Sequence, residues 1–311
     1  MDKVLIVDGH NLFIRYYSVI SHSDPLNLGN AVVMFLNSIS REIYNRGITQ
    51  VYVVFDGGAK MHKQYDSNYK VNRGKASSLR TSSEDEKFFD HLYLTRQILK
   101  NIVKVIRIKY EEGDIVMSYL AEKYSKDNLV YIVSNDNDFF QLLKDNVNII
   151  RSKDIMLTIQ NYSTVLKHLE YVDPESYALW KAIRGDSCDN VSGVYGVGYK
   201  TLSTIFFEFL KNHKRVITPN DLKENMALLP KKISDKLEKS INLIDHNYRL
   251  VSLSMEWGLL SHFGRLEIEA DLSKPFVIDE TEAKTLMEPY KKYINGDFDN
   301  YFSMYRRLKY V

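Results

Sequence analysis

The sequence predicts an α/β fold: a mainly parallel central sheet flanked by helices, followed by a smaller helical region. Three observations lead there: short apolar runs rich in β-branched residues, stretches of helical apolar spacing between them, and a change of pattern after about residue 172. Strands are expected at Val4–Val7, Val51–Phe55, Val103–Ile108, Leu129–Val133 and Val147–Ile150, each short and continuous, as in strands buried on both faces. Asn30–Asn45, Glu84–Ile102, Asp114–Tyr124 and Asp138–Leu143 carry apolar residues at helical spacing, so strand and helix alternate as βαβ units. Further on, Pro174–Arg184, Tyr199–Leu210 and Ser234–Ile244 are expected to be helical, with a glycine-rich turn between the first two. Asn68–Ser83 is polar, basic and poor in apolar anchors, the composition of an exposed, mobile segment. The expected domains are an α/β core over residues 1–171, with a basic region at about 60–100, a helical region over 172–270 and an extension over 271–311.

A chain of 311 residues, 44% hydrophobic and 26% charged, can bury a sizeable core as one large domain or two smaller ones. Cys188 is the only cysteine, which excludes an internal disulfide framework and a cysteine-built zinc cage and fits a reducing cytoplasm. VLIVDGHNL is too short and too acidic for a signal peptide, and no later run approaches ~18 apolar residues. A cytoplasmic protein, neither exported nor membrane-spanning, is therefore expected.

In an open parallel sheet, ligands bind outside the C-terminal ends of the strands. All four leading runs exit into acids: Asp8, then Asp56, then Glu111, Glu112 and Asp114, then Asp136 and Asp138. Any one of them reads equally as a helix N-cap or a turn aspartate. Four together point to a shared site. Carboxylates gathered within a few Å raise one another's pKa unless a cation compensates them. With no His or Cys ligand set at the strand ends, the expected cation is hard, Mg²⁺ or Mn²⁺. In YIVSNDNDFF, residues i and i+2 of an extended segment point the same way, so Asp136 and Asp138 are expected to face one pocket. An EF-hand fails there, because the sixth loop position is not glycine and Val147 stands where the bidentate Glu belongs.

A second acidic element lies in IRGDSCDNVSGVYGVGYKT, where Asp186 and Asp189 are three apart and can project together. Gly193, Gly196 and Gly198 leave backbone bare before a new helix, so amides there can meet a phosphate or lie near a monovalent cation. A Walker A loop is excluded, since Tyr199 separates Gly198 from Lys200 and no strand precedes the glycines. The basic counterpart, Lys60–Arg80, carries six Lys or Arg against one Asp, with Tyr65 and Tyr69 interleaved. It begins close behind Asp56, and cations with stacking rings beside a metal cluster suit a nucleic acid strand. The formal net charge is only +2, but setting aside the eight acids Asp8, Asp56, Glu111, Asp114, Asp136, Asp138, Asp186 and Asp189 leaves 32 acids against 42 bases, a residual +10.

LIVDGHN, VVFDGG, EEGD, VSNDND and GDSCDNVSGVYGVGYK occur in the order found in the structure-specific 5′-nucleases: flap endonucleases, the 5′-nuclease domain of bacterial DNA polymerase I and phage ribonuclease H/5′-exonucleases. The chain resembles that family over roughly residues 1–210, and YKVNRGKA is most similar to the version in T-even-type phage ribonuclease H. The resemblance implies a PIN-like 5′-nuclease fold with a helical arch and a helix-three-turn-helix region. It implies that Asp8, Asp56, Glu111, Asp114 and Asp136 surround a first metal and that Asp138, Asp186 and Asp189 hold a second. It further implies that Lys70 and Arg73 contact the scissile phosphate, that Tyr69 supports stacking beside them and that Lys75 also binds nucleic acid. The turn through Gly193, Gly196, Gly198 and Lys200 would grip duplex DNA through its backbone and a K⁺ ion. One departure stands out. Where many members read EADD this chain reads EEGD, so Gly113 replaces a carboxylate and a one-residue slip would exchange Glu111 for Glu112.

The expected activity is phosphodiester hydrolysis with two Mg²⁺ about 4 Å apart, Mn²⁺ being able to substitute. The expected substrates are 5′ flaps, nicked or gapped duplexes and RNA primers on DNA, as in replication. The protein is expected to be a monomer in the cytoplasm, that of the host if it is a phage protein. A PIN-type ribonuclease is the alternative enzyme, and a non-catalytic branched-DNA-binding protein the alternative of another class. The tail YFSMYRRLKYV is expected to close as an amphipathic helix on the core, the alternative being to dock a replication partner such as a single-strand-binding protein or clamp.

Overall fold

A computed structural model describes residues 1–72, 82–256 and 258–310. The chain forms two compact units, each built from more than one stretch. The first comprises Met1–Gly58, Leu79–Asn135 and His262–Val311, and the second Ala59–Ser78 and Asp136–Ser261. This division differs from the sequential partition expected from sequence: residues 59–78 of the basic region belong with the later helices, and the C-terminal stretch with the first strands.

In the first unit, β1 (Lys3–Asp8), β2 (Gln50–Val54), β3 (Lys104–Ile106) and β4 (Leu129–Val133) lie parallel in the order β3-β2-β1-β4. Leu5 is in register with Val51 and with Tyr131. Val4 to Val7 and Val51 to Val54 are fully buried, as continuous β-branched runs require when helices cover both faces. Gly9–Ser23 and Asn30–Arg46 connect β1 to β2, and Gly113–Tyr124 connects β3 to β4. Gly47, at φ +63°, ends Asn30–Arg46 with its amide on the Ile43 carbonyl, a left-handed stop that favours glycine. The helix Gly9–Ser23 was not anticipated from the sequence. Its signals are present nonetheless: Asp8 caps it, and Leu12, Phe13 and Ile20 form its buried face.

The C-terminal tail packs on this unit, but as a short 3₁₀ turn over Tyr305–Arg307 rather than a closing helix. Tyr305 is fully buried and its hydroxyl donates to the Leu36 carbonyl at 2.8 Å. The Tyr310 hydroxyl donates to the Val51 carbonyl (2.8 Å) and accepts from the Lys104 amide (3.2 Å), which fixes the tail to two strands.

In the second unit, β5 (Val147–Ile150) pairs antiparallel with β6 (Met156–Leu157), a two-residue strand too short for periodicity to reveal. Helices Tyr177–Arg184, Tyr199–Lys211, Pro219–Asn225, Lys231–Lys239 and Ile241–Val251 follow. The expected helix Ser234–Ile244 is in fact the junction of two, broken at Ser240. Asn137–Leu142 is a 3₁₀ helix rather than an α-helix. Among the described residues no helix is long and apolar enough to cross a membrane.

Candidate metal centre

The first unit delivers its acids to the C-terminal ends of adjacent strands. Asp8 ends β1, where one carboxylate oxygen accepts the Asn11 amide (3.0 Å) and the other the Ser134 hydroxyl (2.9 Å). It is therefore an N-cap, and the same bonds hold the carboxylate in one orientation. Asp56 follows β2 and is exposed. Its amide donates to His10 Nδ1 at 3.1 Å, and the same nitrogen lies 3.5 Å from its carboxylate. Burial, more than the opposing pull of Asp56, keeps the His10 pKa below its ordinary value. Asp56 Oδ1 also accepts the Gly113 amide at 2.7 Å, so an anion sits on the first amide of Gly113–Tyr124.

A Cβ at Gly113 would lie 2.9 Å from Asp56 Oδ1, the end of a half-exposed side chain, so a larger residue there would displace that carboxylate. Glu111 and Glu112 are both buried. The Glu111 carboxylate lies against Gly264, where a Cβ would fall 2.6 Å from Oε1. Glu112 holds the N-cap position of Gly113–Tyr124, and Asp114 is half-buried in its first turn.

The second unit gathers Asp138, Asp186 and Asp189, whose nearest carboxylate oxygens all lie within 4.8 Å of one another. Each is placed by a short local element. Asp136 is extended and caps the turn Asn137–Leu142 by accepting the Asp138 amide at 2.9 Å. Asp138 thus lies in the first turn of a 3₁₀ helix, which corrects the expectation that both residues share an extended segment. Asp186 caps the turn Ser187–Asp189 in the same way, accepting the Cys188 amide at 2.9 Å. Cys188 itself is exposed.

Lys181 completes the cluster, and its role was not anticipated. It rises from the buried helix Tyr177–Arg184, pairs with Asp186 at 2.8 Å and hydrogen-bonds Asp138. Burial disfavours its ammonium, but Asp138 and Asp186 outweigh burial and hold its pKa above the ordinary lysine value. Burial likewise opposes the charge of Asp186, yet Lys181 and the turn amides leave its pKa below the usual carboxylate range. Lys70 Nζ stands 3.8 Å from Asp189, so two ammonium groups face three carboxylates. The all-oxygen donor set and the excess of negative charge suit a hard divalent cation.

The base of the basic segment is tied to this cluster. The Lys70 amide donates to the Asp189 carbonyl at 2.9 Å. Asn190 Nδ2 donates to the Asn68 carbonyl (2.9 Å), and Asn72 Nδ2 to Asn190 Oδ1 (2.9 Å). Both Lys70 and Asn190 adopt left-handed backbone, φ 56° and 61°, a conformation that these bonds stabilise. Tyr69 is 4% exposed, its ring stacked on His62 and its hydroxyl donating to Asp189 at 3.3 Å. This corrects two expectations: Tyr69 offers no free face to a base, and the start of Asn68–Ser83 is anchored. Arg73 and Lys75 lie outside the described residues.

The three glycines before Tyr199–Lys211 differ in role. A Cβ at Gly193 would lie 2.1 Å from the Arg184 carbonyl oxygen, so this glycine is required by close backbone packing. Gly196 turns at φ +70°, and its carbonyl accepts Lys236 Nζ at 3.2 Å. Gly198 faces open space and Lys200 is exposed, as an interface for a ligand would need.

Residues 3–170 match the family described as "5'-3' exonuclease, N-terminal resolvase-like domain". The chain belongs to the 5′-3′ exonuclease family. It is 26% identical over 307 residues to a 5′-3′ exonuclease of Mycoplasmopsis pulmonis, covering 95% of this chain and 96% of that one. It is also 29% identical over 239 residues to the thermostable DNA polymerase I of Thermus filiformis, covering 72% of this chain and 26% of the polymerase. Among solved structures, T5 5′-exonuclease with bound zinc superposes with a TM-score of 0.69 at 23% identity, covering 92% of this chain and 98% of that one. The T5 D15 flap endonuclease in a pseudo-enzyme-product complex with DNA and metal ions gives 0.66 at 22% identity, covering 93% and 99%. These likenesses show the α/β fold of this chain.

Proposed function

We propose that the protein is a divalent-metal-dependent 5′-nuclease acting on DNA with a 5′ single strand next to duplex. The observation that carries this is the cluster of Asp138, Asp186 and Asp189 around Lys181 in a chain of the 5′-3′ exonuclease family. On this reading those three acids hold one divalent cation, Mg²⁺ or Mn²⁺, and Asp8, Asp56, Glu111 and Asp114 serve another. When bound, such ions lower the pKa of water and offset charge on the reacting phosphate.

The chain's own residues do the rest. Lys181 pairs with both Asp138 and Asp186 and so holds the two carboxylates side by side before any metal arrives. Asp136 and Asp186 each fix a turn through a backbone amide, so the acids are held rather than free to rotate. Lys70, held to Asp189 through its backbone, faces the phosphate whose charge grows in the transition state, and Arg73 shares that work. Gly198 and Lys200 meet the duplex, with K⁺ at the same turn. Cleavage of RNA in RNA–DNA hybrids, a monomeric state and contact with a single-strand-binding protein or clamp belong to the same proposal.

The test is a 5′-labelled flap substrate with and without Mg²⁺, read for product length, beside single-stranded RNA of equal length. Short 5′-phosphate products that require Mg²⁺ and a flap support the proposal. Preference for the single-stranded RNA would favour a PIN-type ribonuclease, and no product under any metal would favour a binding protein.

A further inference from the structure

A cavity of about 510 Å³ opens beside the edge strand β3, with none of the residues assigned above to the metals in its wall. Its wall carries Arg96, Lys100, Lys104, Arg107 and Lys274 against a single acid, Asp271. Lys274 pairs with Asp271 at 2.6 Å, which spends the one negative charge at the rim. Lys104 is buried and donates to the Leu272 carbonyl at 2.7 Å, at the C-terminal end of the helix His262–Ser273. Among the described residues no carboxylate pairs with Arg96, Lys100 or Arg107. Arg96 Nε is buried without a hydrogen-bond partner, an arrangement that carries a cost unless something binds there. Burial first, and the Arg107 guanidinium second, hold the Arg96 pKa below its ordinary value, so a second positive charge acts on the half-buried Arg96. Val103, Pro275 and Phe276 supply apolar wall beside these cations.

We infer that this cavity is a phosphate-binding site, taking the phosphoryl group of a nucleotide or of a nucleic acid strand outside the metal centre. A phosphate bridging Arg96 and Arg107 relieves their repulsion and gives Arg96 Nε an acceptor, in the fork geometry that guanidinium favours. The volume exceeds that of phosphate alone and leaves room for a sugar or base against the apolar wall. Arg107 Nε also donates to the Asp56 carbonyl at 3.0 Å, so an occupied cavity steadies the loop that carries Asp56.

The test uses the full chain in metal-free buffer and reads binding rather than cleavage, so its outcome is separate from that of the nuclease proposal. Thermal melts are compared in sodium phosphate and in sodium chloride of equal ionic strength, for wild type, Arg96→Gln and Lys100→Gln. Phosphate is expected to raise the wild-type midpoint by several degrees over chloride, and each variant to lose at least half of that increment. Arg96→Gln is expected to melt at or above wild type in chloride, because a like charge has gone. Lys100 is exposed, so its variant keeps the test valid should Arg96→Gln fold poorly. An equal phosphate increment in all three proteins overturns the inference. Competition of deoxyadenosine monophosphate and a single-stranded oligonucleotide against phosphate identifies the source. At least tenfold stronger competition by the oligonucleotide, lost in Arg96→Gln, means a strand, and equal competition per phosphate means a nucleotide.

Discussion

Replacing Lys181 by Met tests whether the second unit's acids are built for a cation. Methionine keeps the unbranched stem and the packing in the Tyr177–Arg184 helix while removing the ammonium. Asp138 and Asp186, with side chains 12% and 19% exposed, then lose a partner that was itself 9% exposed. Removing one member of a buried ion pair costs about 3–5 kcal/mol, because the remaining charge stays desolvated. At roughly 2–4 °C per kcal/mol for a domain of this size, the metal-free melting midpoint should fall by about 6–20 °C. Added Mg²⁺ should return much of the loss, since the variant site carries one more negative charge; saturation at a hundred times Kd contributes about 2.7 kcal/mol. The assay is a far-UV circular dichroism melt in chelator and in excess Mg²⁺. An unchanged midpoint in chelator, or a loss that Mg²⁺ leaves untouched, would refute the reasoning.

Gly113→Ala puts a Cβ 2.9 Å from Asp56 Oδ1, the end of a half-exposed side chain that can swing away. Stability should move by no more than about 1 kcal/mol, while the Mg²⁺ concentration for half-maximal cleavage rises, as a metal titration would read. Tyr310→Phe leaves the Val51 carbonyl and Lys104 amide without their shared hydroxyl and should cost about 1–3 kcal/mol in urea denaturation. Arg306 holds the Glu280 carboxyl below its ordinary value of 4.5. Because the folded pKa is depressed, this contribution is complete above pH 4.5 and is lost as pH falls below it. Glu280→Gln should flatten that part of the stability profile, followed by melts across the acid range.

Much of the fold was legible because its signals are local. Fully buried parallel strands read as unbroken apolar runs, and the acids at their exits stand directly behind those runs. Glycine chemistry was less legible. The sequence suggests bare amides at Gly193, whereas the requirement there comes from the Arg184 carbonyl, a contact that spacing does not encode. Lys181 was missed because a lysine in a helix ordinarily marks the solvated face. The clue lay in YALWKAIR, where Lys181 falls one turn from Tyr177 and Ala178 on the apolar face, a position that only a paired charge can occupy. Tyr69 was misjudged for the opposite reason: its sequence neighbours are polar, and contacts made in the fold, with His62 and Asp189 among them, bury it. The 3₁₀ turn after Asp136 escaped detection because Asn137–Leu142 is too short to distinguish from an α-helical turn by periodicity.

Whether Asp138, Asp186 and Asp189 hold the catalytic cation is measured most directly by cleavage with Asp138→Ala. On a 5′-labelled flap in Mg²⁺, the variant should release no product while binding the duplex as tightly as wild type in a gel-shift titration. Product formed at a rate near that of wild type would contradict the account.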